Sequence, residues 1–121
     1  MKNIDRWFIL MAVIYAILGM CLGFVMGARA DYTHVPVHAH MNLVGWVGMA
    51  IFGLIYRAWP ELQGSPLARL HFLFMAIGAP VMLAGIPLAH SGGSPLIAIA
   101  GSVLVIAGTA AFAWLFIKRT A

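Results

Sequence analysis

Thr33-His34-Val35-Pro36-Val37-His38-Ala39-His40-Met41-Asn42-Leu43-Val44-Gly45-Trp46 decides how this chain is read. It holds three of the five histidines and opens an apolar run long enough to cross a bilayer. Pro36 has no N–H to donate, so it belongs in the first turn of a helix, where that donor would go unused. A helix starting near Val35 or Pro36 carries His38 and His40 in its first two turns. At about 100° per residue, two positions lie roughly 200° apart around the axis. The two imidazoles therefore leave the helix on opposite sides and cannot chelate one ion, as an i, i+4 pair can. The expectation is one helix serving two sites, one on each flank.

Around this stretch the composition fixes the class. The chain has 121 residues, 64% hydrophobic and 8% charged, with a mean hydropathy of +1.00. An ordinary soluble domain has about 45–50% apolar and about 25% charged residues. The pattern is that of an integral membrane protein, all-α, with one domain over residues 1–121. The net charge of +4 would suggest nucleic acid in a soluble protein. Here the basic residues cap apolar runs, as orientation signals do. One cysteine, Cys21, rules out an internal disulfide, a multi-Cys zinc site and covalent C-x-x-C-H haem attachment.

Four apolar runs, at about 7–27, 36–59, 67–89 and 95–117, each approach the roughly 20 residues that a spanning helix needs. Ala28-Arg29-Ala30 resembles a signal-peptidase site, but the first apolar run exceeds the usual 7–15 residues, so a retained helix is expected. Pro80 predicts a kink in the third run. His90-Ser91-Gly92-Gly93-Ser94-Pro95 reads as a tight turn. With alternating helices, Lys2, Arg6, Arg57, Arg69, Lys118 and Arg119 fall on one side and Arg29 on the other. The positive-inside rule then puts both termini in the cytoplasm of a bacterial inner-membrane protein. His34, His38, His40 and His90 lie toward the outer face. His71, beside Arg69, is expected to snorkel to the inner headgroups. Gly19, Gly23 and Gly27 form a small-residue stripe suited to close helix contact, and Gly78, Gly85, Gly101 and Gly108 offer others.

Histidines in or near a membrane are costly unless paired or bound, which makes His38 and His40 site candidates. An imidazole there suits haem iron, copper or zinc. Zinc wants three or four converging ligands, and Asp5, Asp31 and Glu61 all sit at helix ends. Haem needs only one or two imidazoles, an apolar slot, and a basic group for its propionates, for which Arg29 is placed. Asn42 is a candidate to orient a ligand imidazole. Trp46 is a candidate to line a haem edge, and His90 to act as second ligand to His38 or His40. His34 is adequately explained by solvation at the interface.

The segment from His38 to Leu62, with its His-Ala-His, Gly45-Trp46-Val47, Phe52-Gly53 and Trp59-Pro60-Glu61-Leu62 elements, resembles helix ten of the catalytic subunit of haem–copper oxidases. It is most similar to the cbb-type enzymes and their nitric oxide reductase relatives. The resemblance implies that His38 matches the high-spin haem ligand and His40 the low-spin one. It covers about 25 residues. The family's subunit has twelve helices, whereas this chain is one four-helix arc long. The copper-binding His-His pair and the cross-linked His–Tyr have no counterpart here.

The expected function is therefore that of a b-type haem protein, oxidoreductase-like, active in electron transfer or in diatomic-gas or redox chemistry. Because the family's helices two, six and ten are related by a pseudo-threefold axis, the resemblance also suggests a homotrimer of twelve helices. His38 of one copy and His40 of the next would flank each haem. Two other readings stay open. One is a copper or zinc transport protein with a ring of histidines, and the other is an assembly subunit of a respiratory complex whose histidines merely pack.

Overall fold

Prolines, glycines and short polar stretches set the limits of every helix. The computed structural model describes residues 1–120, with the backbone alone for Thr120. Helix α1 covers Ile4–Arg29, α2 covers Val35–Ala58, α3 covers Pro66–His90 and α4 covers Leu96–Thr120. Each is long and apolar enough to cross a bilayer, so the chain is a multi-pass membrane protein. α2 starts with Pro36 in its first turn, as the sequence requires. It stops before Pro60, where a 3₁₀ turn, Pro60–Gly64, leads to Ser65. The Ser65 hydroxyl caps α3 by accepting from the N–H of Leu67 at 3.2 Å. α3 runs on through Pro80 and Pro87, and His90 is its last residue rather than part of the turn. Gly92, at φ +88°, makes that turn possible. At the end of α1, Ala30 takes up the left-handed conformation usually given to glycine. The N–H of Asp31 donates to the carbonyl of Met26 across it, at 3.1 Å.

The two ends of the bundle differ. One carries the termini and the 3₁₀ turn; the other carries the α1–α2 and α3–α4 loops. They are called here the terminal end and the loop end.

In a membrane, apolar helices gain nothing by hiding from lipid, so close packing through small residues must hold them together. The four spans form two hairpins that do this differently. In α3–α4 the backbones touch, with Gly85 against Ala98 and Gly101 against Met82. In α1–α2 glycines receive side chains instead. A Cβ on Gly23 would stand 2.8 Å from the His38 ring, and one on Gly19 the same distance from the Asn42 amide. Gly45 and Gly53 take Tyr15 and Ile9 in the reverse direction. The stripe on α1 is thus filled from within the chain, except at Gly27, which faces open space. Between 11% and 33% of each span is buried, which leaves most of the apolar surface to lipid.

Within α2 the eight residues Met41–Gly48 form a π-helical segment, which the sequence pattern does not predict. Its cause is tertiary. Four buried residues of α2, Val37, Gly45, Met49 and Gly53, are spaced by multiples of four, and Tyr56 follows three residues on. In a regular α-helix each four-residue step drifts by about 40°. The widened turn absorbs that drift and keeps one side of α2 on its neighbours. Leu43, Val47 and Ile51, two positions off that line, consequently stay exposed on the opposite side.

Candidate functional site

Near the loop end, the first turns of α2 hold His38 and His40 in different surroundings. His38 is half-buried, its ring against Gly23 of α1. The Asn42 amide donates to the His38 carbonyl at 2.9 Å and reaches its Nδ1 at 3.4 Å. An amide N–H can only donate, so Nδ1 faces it as the acceptor and the proton of the neutral ring sits on Nε2. His40 is exposed, and its Nδ1 lies 2.8 Å from the carbonyl oxygen of Pro36. A carbonyl can only accept, so in the neutral ring Nδ1 carries the proton and Nε2 the lone pair. Pro36 thus both starts the helix and sets the tautomer of the ring one turn on.

The donor chemistry at His40 fits an axial haem ligand. A ring whose far N–H is tied to a backbone carbonyl is oriented and made more basic for metal binding. Leu43 and Val47, exposed beside it, form an apolar wall on the outside of the unit. A single chain supplies only that one wall. The cavity nearest in character is about 120 Å³, between Leu22, Val25, Met26, Arg29, Asp31 and His34. Sites for cofactor-sized ligands take about 300–1,000 Å³. A larger hollow of about 300 Å³ lies along Asn3, Arg6, Trp7 and Leu10 at the start of α1, toward the terminal end.

The other candidates are scattered. Arg29 is exposed at the end of α1, close to Asp31 and His34. The Thr33 hydroxyl and then the Thr33 N–H bond the Asp31 carboxylate and hold it below the usual carboxylate range. Trp46 packs, partly buried, against the core. His90 is exposed at the end of α3. Among the described residues, no three His, Cys, Asp or Glu side chains come together as a metal cluster.

His71 departs from its expected place. Instead of reaching the headgroups it is fully buried. Its Nδ1 is 2.9 Å from the Tyr56 hydroxyl. Phe8 of α1, Phe52 of α2 and Phe112 of α4 surround the ring, with centroids 4.5 to 5.0 Å away. All four spans therefore meet at this residue. Its Nε2 has no hydrogen-bond partner among the described residues and lies among aromatic rings. Arg69, two positions back, is exposed and suggests an interfacial location. The signal that would have corrected this is the i, i+4 pair Phe52 and Tyr56, which gives α2 an aromatic face for a histidine to enter. Below the box, Asp5 and Arg57 form an ion pair at 3.0 Å.

Comparison with protein-family models, curated proteins and solved structures finds no match to this chain.

Proposed function

We propose that this chain is a b-type haem protein of the bacterial inner membrane, with both termini cytoplasmic and the haem held near the outer face. The observation that carries the reading is His40. Its Nδ1 is tied to the Pro36 carbonyl, which in the neutral ring leaves the Nε2 lone pair for a ligand, on a surface otherwise given to lipid. A polar ring there is costly unless something binds it. The resemblance of the segment from His38 to Leu62 to a haem-ligating helix points to the same chemistry.

His40 would supply the axial nitrogen, and Pro36 holds its ring in the ligating tautomer. Leu43 and Val47 keep water from that side, and Arg29 would meet the acidic groups on the ligand's rim. When bound, haem supplies one-electron chemistry at iron and, with one axial position open, binding of a diatomic gas. His38 and Asn42 would act on the helix rather than on iron. They lock α2 to α1 and so fix the direction in which His40 points.

The test is the absorbance spectrum of protein purified after expression with added haem precursor, oxidised and dithionite-reduced. A Soret band that falls at least tenfold in His40→Ala is expected. Colourless protein carrying stoichiometric copper would favour the metal-transport reading instead. Colourless and metal-free protein would leave a packing or assembly role.

A further inference from the structure

We propose that the hollow at the start of α1 holds the phosphate of an anionic phospholipid, in the leaflet on the side of the two termini. Asn3, Arg6, Trp7 and Leu10 line it, and its volume of about 300 Å³ is at the lower end of the range for small-molecule sites. Spaced three and four apart, these residues share one face of α1, and all four are exposed. The function proposed above uses none of them.

Charge decides what the hollow accepts. Other cations at the terminal end are engaged within the chain. Arg57 pairs with Asp5 at 3.0 Å, and Lys118 lies 5.3 Å from the centre of the Trp114 ring. Asp5, the acid in the first turn of α1, is thus buried and committed to Arg57. Arg6 forms no ion pair among the described residues, and no carboxylate lines the hollow. A guanidinium presents forked donors that match phosphate oxygens. Asn3 stands at the N-cap of α1, yet its side chain does not cap the helix, so its amide can donate into the hollow as well. The indole N–H of Trp7 is a third donor, on a ring type that favours headgroup depth. The ammonium of a zwitterionic headgroup meets no acid here, so a lipid of net negative charge is preferred. Deeper in the bilayer, Leu10, Ile14 and Ile17 continue the same exposed face and give an acyl chain its track. From Trp7 to Ile17 is about 15 Å at 1.5 Å per residue, roughly the hydrocarbon depth of one leaflet. Free phosphate would make no use of that track.

The experiment uses the full chain in detergent micelles, given equal amounts of phosphatidylglycerol and phosphatidylethanolamine with the same acyl chains. Native mass spectrometry counts the lipid molecules that each chain retains. Retention of phosphatidylglycerol about fivefold over phosphatidylethanolamine is expected, from the attraction of one basic residue at a charged surface. Arg6→Gln should abolish that preference. Arg69→Gln removes the same charge from the same end, outside the hollow, and should keep it. Millimolar inorganic phosphate should leave the lipid in place. An undiminished preference in Arg6→Gln, equal losses in Arg6→Gln and Arg69→Gln, or displacement by inorganic phosphate would each overturn the site. Equal retention of the two lipids by the wild-type chain would overturn it even where a variant fails to fold.

Discussion

His71 and His40 each have one ring nitrogen in a hydrogen bond, and they sit in opposite surroundings. His71 is sealed at the terminal end among Phe8, Phe52, Tyr56 and Phe112. His40 stands exposed toward the loop end with its spare nitrogen facing outward. Burial alone would single out His71 as the functional residue. Access reverses that judgement. The free nitrogen of His71 is sealed among aromatic rings, whereas the ring of His40 is exposed. The buried ring joins four helices, and the exposed one bonds only within its own helix.

The comparison breaks if the two effects cannot be separated. His40→Ala should lose haem at least about tenfold, as removal of a ligand exceeds the 10–100-fold seen for supporting groups. Compared without haem, its unfolding in mixed micelles should match that of the wild-type chain. His71→Ala should do the reverse, losing about 3 kcal/mol through the cavity left in the box while holding haem in proportion to folded protein. Unfolding titrations and absorbance on the same samples check both.

The box can be resolved further. His71→Phe puts a somewhat larger apolar ring in its place and strands the Tyr56 hydroxyl, the latter at a cost of about 1–3 kcal/mol. Adding Tyr56→Phe should restore all but about 1 kcal/mol, because replacing both partners by apolar groups removes the unmet donor. A double variant no better than His71→Phe alone would mean that the hydrogen bond is not what the site needs. The Asp5–Arg57 pair just below should matter less. With the Arg57 side chain 64% exposed against 13% for Asp5, Asp5→Asn is expected to cost at most about 1 kcal/mol, less in high salt. The smallest effect has the opposite sign. Ala30→Gly should stabilise the chain by about 1 kcal/mol by relieving the left-handed backbone at φ 49°, measured as a shift in the unfolding midpoint.

What the sequence made legible was local. Pro36 set the start of α2, Pro60 its end and Gly92 the turn, and the four spans fall within a few residues of their expected limits. The expected opposition of His38 and His40 depends on helix geometry and holds. What could not be read there depends on contacts between segments. Nothing near His71 in sequence announces that Phe8 and Phe112 will close over it. The stripe of Gly19 and Gly23 looks like a seat for another backbone, but receives Asn42 and His38 from the next helix. The inequality of the two ligand candidates follows from a carbonyl at Pro36 and an amide at Asn42. Both lie four residues from the ring they bond, but their effect on the tautomer needs coordinates.

The widened turn at Met41–Gly48 amounts to one extra residue threaded into an α-helix. Losing a single codon there would let α2 wind regularly and swing its first turns about 100° relative to Met49–Ala58. His40 would then be aimed elsewhere, with hydropathy and length barely altered. Relatives that differ by one residue in this stretch are therefore not interchangeable with this chain, however similar the letters on either side.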